Sequence, residues 1–353
     1  AILIRYDKKY LSFVAAVTVV SFIPLVYYFG CALEVLLSFT KRCHSHFLTR
    51  TPSLKIIIQT FQEVKPTIVI TVPLILEKIY KKQTLPLLDK ASMKILLSVP
   101  FIDKAIYSKV KKKLTDVFGG NFKEVIIGGA ALNKDVELFL RKIGFNFTIG
   151  YGMTECGPLI SYANWDKAKL GSAGKFVDTL EIKIDSKDPF KEIGEIMVRG
   201  ENVMYGSYKN VEATEQTIDK EGWLHTGDLG IIDEENYIYI RGRNKSMLLC
   251  PSGENIYPEE IEARLNKLPY IQESIVIDKN NKLIALVYPD LEAVDHEKIT
   301  ENRLNEIMEE NRKEANLHLA KYMQISKIKI HPVEFEKTPK RSIKRFLYTT
   351  AEI

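Results

Sequence analysis

The chain has 353 residues, a formal net charge of +5, 46% apolar residues and 27% charged residues. That length suits about two domains with a large core, and the balance of residues is that of an ordinary α/β protein. So small a positive excess favours an anionic ligand only weakly, and with no RNA or DNA motif beside it a nucleic-acid partner is not expected.

Residues 11–39 carry a single formal charge, Glu34. The run is long enough to cross a bilayer. It is also rich in β-branched residues and is broken by Pro24, so a buried parallel strand followed by a buried helix accounts for it equally well. Residues 68–72 read as a buried strand stopped by Pro73, and 74–82 as a helix. A helix over 104–118 ends at Gly119-Gly120. Residues 125–127 form a strand that runs into Gly128-Gly129-Ala130. Asn133 is placed to cap a helix that ends near Ile143 and Gly144, and 145–149 is the next strand. This alternation predicts a mostly parallel sheet with flanking helices.

Beyond Gly157 the strands are short (180–184, 195–199, 230–232, 237–241) and turns are frequent, which predicts a β-rich subdomain. A helix over 258–267, strands over 273–278 and 282–288, and a long charged helix over 296–313 then form a small α+β domain. The expected organisation is a large domain over 1–242, with its β-rich subdomain at about 158–242, and a small domain over 243–353. Cys31, Cys43, Cys156 and Cys250 are widely spaced with no CxxC pair. This argues against a disulfide framework or a zinc site and suits a reducing compartment. His44 and His46 would share one strand face, but no metal set is completed around them.

Three motifs carry chemistry. Tyr151-Gly152-Met153-Thr154-Glu155 follows a predicted strand, and ligands gather at the carboxyl ends of parallel strands. There an aromatic ring can stack on a base and a glycine can let a backbone come close. A threonine hydroxyl can donate to a phosphate, and a glutamate can hold Mg²⁺. Taken alone, a tyrosine after a strand is ordinary packing. In Gly222-Trp223-Leu224-His225-Thr226-Gly227-Asp228-Leu229-Gly230, an aspartate between glycines suits the two hydroxyls of a ribose; the plain alternative is a turn. Arg241-Gly242-Arg243-Asn244-Lys245, followed by residues 253–262, offers guanidinium forks to ribose or phosphate oxygens; the plain alternative is a solvated basic turn.

In this order and spacing, together with Gly128-Gly129-Ala130 and the GEIMVRG segment with Asn202, Val203, Met204 and Gly206, the motifs resemble the adenylate-forming superfamily. The wording YGMTECGP and residues 47–72 are similar to its long-chain fatty acid–CoA ligase branch. The resemblance implies a large AMP-binding domain of parallel sheets flanked by helices and a small mobile C-terminal domain. It implies activation of a long-chain fatty acid to acyl-AMP by ATP with Mg²⁺, then transfer to CoA. Tyr151 would stack on adenine with Ile240 opposite, while Gly129, Ala130 and Gly152 would line the nucleotide and acyl-carbonyl region. Thr154 would meet the α-phosphate, Glu155 would bind Mg²⁺, and Asp228 would hold the ribose with help from Arg243. Lys245 would be the hinge and Gly253 would approach the pantetheine arm of CoA. The expected location is cytoplasmic, with peripheral association at a membrane left open and no specific protein partner expected.

Three departures bear on activity. No Ser/Thr/Gly-rich phosphate loop ending in Pro-Lys occurs in the 353 residues, and its expected place is upstream of residue 1. Tyr27 stands where the family usually has a histidine, and a tyrosine does not titrate near neutrality. Ser342 stands where a catalytic lysine is usual, leaving Lys340 or Lys344 as substitutes. Besides an active ligase, the sequence therefore admits a chain that binds AMP without turnover, a ligase for another carboxylate, and a membrane-anchored interaction protein.

Overall fold

The computed structural model describes residues 17–25, 28–88, 102–249, 255–279, 282–337 and 343–349. Five short strands, β1 (Thr18–Ser21), β2 (His44–Phe47), β3 (Ile68–Thr71), β4 (Glu124–Ile127) and β5 (Phe147–Ile149), form one sheet in the order β2-β1-β3-β4-β5. Every pairing in it is parallel. The central strands read TVVS, IVIT and EVII and are buried on both faces, as a parallel sheet between helices requires. From residue 17 onward the described part of the apolar run thus forms a buried strand and a helical segment over 28–40. No helix among the described residues is long and apolar enough to cross a membrane.

The helices follow their sequence signals. Leu54–Val64 starts at Ser53, whose Oγ accepts from the Ile56 N–H, and presents Ile57 and Phe61 to the core. Pro73 occupies the first turn of Pro73–Ile79, where its missing N–H has no partner to lose. Lys134–Lys142 is capped by Asn133, whose side chain accepts from the Asp135 and Val136 N–H groups. Phe61 stacks on Phe118 at 5.6 Å, and Phe118 meets Phe145 at 5.7 Å, so the helix and strand layers close on an aromatic core.

One buried group is not apolar. Glu34 lies in a π-helical segment, Cys31–Leu37, and accepts from Ser21 Oγ at 2.9 Å, while its Oε1 has no partner among the described residues. Burial pushes its carboxyl up to about 8, against the lowering effect of the Ser21 hydroxyl. At neutral pH the folded chain therefore keeps this proton and the unfolded chain loses it. Between about pH 4.5 and 8 this group alone removes stability as pH rises, by about 1.4 kcal/mol per unit. Glu34→Gln should flatten the fall in melting temperature between pH 5 and pH 8; an unchanged fall would show that Glu34 does not carry it.

A three-stranded sheet of β6 (Tyr151–Gly152), β7 (Leu159–Tyr162) and β8 (Lys175–Phe176) follows. Buried Glu124, at the start of β4, accepts from Tyr162 Oη and the Trp165 N–H, both at 2.8 Å, and so fixes β7 to the main sheet. The next sheet has the order β12-β11-β10-β9, with β9 Leu180–Asp185, β10 Gly194–Gly200, β11 Leu224–Ile232 and β12 Ile238–Arg243.

The chain divides into two compact units, one of residues 1–226 and 230–240, the other of residues 227–229 and 241–353. In the second, the antiparallel pair β13 (Leu248–Leu249) and β14 (Asn255–Ile256) precedes a sheet in which β15 (Ile271–Lys279) pairs antiparallel with β16 (Lys282–Pro289). β16 in turn pairs parallel with β17 (Ile325–Ile330). Helices Pro258–Leu265 and Glu301–Leu317 supply apolar residues to a core with Val276, Ala285 and Val287. A second cluster joins Ile275, Ile277 and Leu286 to Phe335, with Ile343 and Tyr348 against it. The single helix expected over 296–313 is instead two, Leu291–His296 and Glu301–Leu317, because Asp290 and Thr300 each cap a new start.

Candidate functional site

The main chain leaves β4 through Gly128, Gly129 and Ala130, and leaves β5 through Gly150 into Tyr151. The ladder continues one residue past each strand: Gly128 N–H donates to Thr71 O at 3.1 Å and Gly150 N–H to Ile127 O at 2.9 Å. Exposed Gly129 and Ala130 thus follow β4, and Tyr151 follows the neighbouring β5, at the carboxyl edge of one parallel sheet, with Gly152, Thr154 and Glu155 next along the chain. Gly129 has φ +87°, a conformation that side chains resist, and that leaves its backbone open at this edge.

Gly152 has a structural reason of its own beside the expected one. A Cβ there would lie 1.8 Å from Pro158 O and 3.1 Å from Leu159 Cα, so the close approach is to the chain's own backbone as it enters β7. The Tyr151 ring is 8% exposed and belongs to the core with Cys156, Ile160 and Val177. Ile240, on β12 in the same unit, is exposed.

Thr154–Cys156 makes one tight turn, ended by Gly157 at φ +61°; Thr154 is exposed and Glu155 half-buried. Buried Asn202 braces this turn. Its Nδ2 donates to Cys156 O at 2.8 Å and Leu159 O at 3.1 Å, and its Oδ1 accepts from Thr179 Oγ1 at 3.2 Å. Met204 N–H donates to Glu155 O at 2.8 Å. The sequence named Asn202 only as part of a matching segment and gave it no role. Its signal was a lone amide next to a buried strand. Asn202→Asp would set a carboxylate against two carbonyls and should cost about 1–3 kcal/mol of stability. A thermal melt equal to the parent's would remove the brace. The Cys156 thiol, pushed up to about 12 by burial and then by Glu155, is no nucleophile at neutral pH.

In the second unit, Asp228 and Arg243 meet: Arg243 Nε donates to Asp228 Oδ1 at 3.0 Å. Asp228 is buried and Arg243 exposed, so an acceptor is held in place while a guanidinium edge faces solvent. Of the plain alternatives, the turn at Asp228 is not what the structure shows, whereas the basic segment is solvent-exposed and runs into a turn. Asp228 sits within strand β11 rather than in a turn, and Arg243 ends strand β12 in an ion pair. Lys245 follows in the turn Asn244–Ser246. Lys344, one of the two substitutes for the usual lysine, is engaged by Glu336 at 3.1 Å. Tyr27, Gly253, Lys340 and Ser342 lie outside the described residues.

Among the described residues no three His, Cys, Asp or Glu side chains gather, and the expected Mg²⁺ donor is the carboxylate of Glu155. That is not an all-protein metal cage. It fits Mg²⁺, which commonly binds one or two carboxylates together with substrate phosphates.

The model of the AMP-binding enzyme family matches residues 4–208, and that of the AMP-binding enzyme C-terminal domain matches residues 245–350. The chain belongs to the AMP-binding enzyme family. Among curated members, the long-chain-fatty-acid–CoA ligase FadD15 of Mycobacterium bovis is 28% identical over 335 residues, which is 84% of this chain and 55% of that protein. The 2-succinylbenzoate–CoA ligase of Bacillus anthracis is 34% identical over 72% of this chain and 55% of its own length. The 4-coumarate-CoA ligase 1 of Narcissus pseudonarcissus is 37% identical over 50% of this chain and 35% of its own length. The chain thus spans about half the length of the two ligases that cover most of it.

Among solved structures, O-succinylbenzoate coenzyme A synthetase from Bacillus subtilis, in complex with AMP, superposes with a TM-score of 0.73 at 23% identity. The superposition covers 99% of this chain and 64% of that one. The fold of this AMP-binding enzyme is therefore the adenylate-forming one, with a large N-terminal and a small C-terminal domain.

Proposed function

We propose that this chain is the nucleotide-holding part of an acid–thiol ligase that activates a long-chain fatty acid with ATP and passes the acyl group to CoA. The observation that supports it most is the carboxyl edge of the parallel sheet, where the chain leaves β4 into Gly129 and Ala130 and leaves the adjacent β5 into Tyr151 and, further on, Thr154 and Glu155. A fatty acid is favoured over other carboxylates because the FadD15 match extends over 84% of the chain, the coumarate ligase match over 50%.

In this reading a carboxylate attacks the α-phosphorus of ATP, forming acyl-AMP and releasing pyrophosphate. The CoA thiol then attacks the acyl carbon and AMP leaves. The main obstacle in the first step is charge, because an anion approaches a polyanion; positioned donors lower it. Thr154 donates its hydroxyl to the α-phosphate, Tyr151 and Ile240 hold the adenine, and Asp228, oriented by Arg243, accepts from the ribose hydroxyls. Glu155 would hold Mg²⁺, which when bound neutralises phosphate charge. Lys245 serves as the hinge for the second step and Gly253 lies along the CoA arm. Lys340 supplies the cation that Ser342 does not.

A second reading, AMP binding without turnover, is favoured by the engagement of Lys344 with Glu336. One assay separates the two: AMP release from ATP with Mg²⁺ and CoA, in the presence of oleate, 4-coumarate or 2-succinylbenzoate. The ligase reading expects oleate-dependent release above the other acids. Preference for an aromatic acid would move the substrate, and AMP binding with no release would select the second reading.

A further inference from the structure

Gly129, Ala130 and Ala131 are exposed, but the main chain on either side of them is held. At the entry, the Gly128 N–H donates to Thr71 O at 3.1 Å, and a Cβ on Gly128 would lie 2.8 Å from two ring carbons of Phe29. At the exit, Leu132 packs back on the main core, and the Asn133 N–H donates to Glu77 Oε1 at 2.9 Å across 56 residues of chain. Thr71 ends β3, and Glu77 lies in the helix that follows it, Pro73–Ile79. Between the two, Val72 Cγ1 would lie 3.8 Å from a Cβ on Gly129. One strand–turn–helix unit thus meets the loop at its entry, its middle and its exit.

The exit contact answers a donor that the loop and its helix leave open. Asn133 caps Lys134–Lys142, and its side chain serves the Asp135 and Val136 N–H groups. A capping box would serve the Asn133 N–H in return, through a Glu or Gln at the third helical position. Val136 stands there and has no acceptor to offer. Glu77 takes that part from a different helix, and a carboxylate at a helix N-terminus is favoured by the helix dipole. Burial pushes the Glu77 carboxyl up, and the Asn133 N–H and then Lys81 oppose that push.

We infer that Glu77 is a positioning residue: by accepting from the Asn133 N–H it fixes the exit of the Gly129–Ala131 loop, and with it the main chain that a bound nucleotide meets. Glu77 acts through the loop and touches no nucleotide. Its effect on nucleotide binding rests on the reading of Gly129 and Ala130 given above, but its hold on the loop does not.

Two measurements on the same chain test this: backbone hydrogen exchange, and calorimetric titration with AMP in the presence of Mg²⁺. Glu77→Ala should speed exchange of the Asn133 amide roughly tenfold while β3 and β4 exchange as in the parent, because only the loop opens. The same variant should bind AMP roughly five- to tenfold more weakly. Glu77→Gln keeps an acceptor oxygen on a side chain of the same length and should bring both values back close to the parent's. If the parent does not bind AMP, the nucleotide reading fails while exchange at Asn133 still reports the anchor. Parent-like exchange at Asn133 in Glu77→Ala would overturn the anchor. Parent-like AMP binding by a Glu77→Ala chain whose Asn133 amide has opened would overturn its role in placing the loop. So would a rise in exchange throughout the large domain, which marks general destabilisation, or a Gln variant as impaired as the Ala one, which marks a need for the charge rather than the hydrogen bond.

Discussion

Gly152→Ala is expected to unseat the strand that carries Tyr151 and to lower stability by about 3 kcal/mol, the upper part of the usual range for overpacking. The added methyl carbon would sit 1.8 Å from Pro158 O and 2.8 Å from its carbonyl carbon, and neither backbone atom can swing away as a side chain does. Relief requires β6 and β7 to part, which breaks the pairing of Tyr151 with Ser161 and of Gly152 with Leu159. The turn Thr154–Cys156 hangs from that hairpin, so nucleotide contacts should fall together with the melting temperature. Thr154→Ala, at an exposed position of the same turn, serves as the control and should leave the melt unchanged. A Gly152→Ala protein that melts with the parent would show that the hairpin is not held as described.

Asp228→Ala is expected to weaken AMP binding by about 1–3 kcal/mol, roughly 5- to 150-fold, with a smaller effect on stability. The asymmetry follows from burial: the side chain of Arg243 is 69% exposed and water replaces its lost partner, whereas the ribose hydroxyls would lose a fixed acceptor. Arg243→Ala should weaken AMP less, since the Asp228 carboxylate remains within its strand. Calorimetric titration decides this, and equal affinity in Asp228→Ala and the parent would take Asp228 out of the site.

Much of the large domain could be read from the chain because its signals are local. The buried runs at β3 and β4 are apolar on both faces, Asn133 caps its helix through its own side chain, and Pro73 marks a helix start. Features set by contacts distant in sequence could not. Nothing near Gly152 announces that Pro158 O lies against it, and Asn202 declares its brace only once Cys156 and Leu159 are folded beside it. β17 reads ISKIKI with several half-exposed positions, and so lacks the continuous apolar run that marks an inner strand. Asp228 was open to reading as a turn because glycines flank it, while the structure carries it through the middle of a nine-residue strand. The π-helical segments Cys31–Leu37 and Tyr80–Thr84 follow no periodicity distinct from that of an α-helix.

These residues are expected to hold AMP. Calorimetric titration of the chain with AMP in the presence of Mg²⁺, repeated with Asp228→Ala, tests it most directly. The parent should bind saturably, one to one, and the variant clearly more weakly. Absence of binding by a parent chain that melts cooperatively would contradict it.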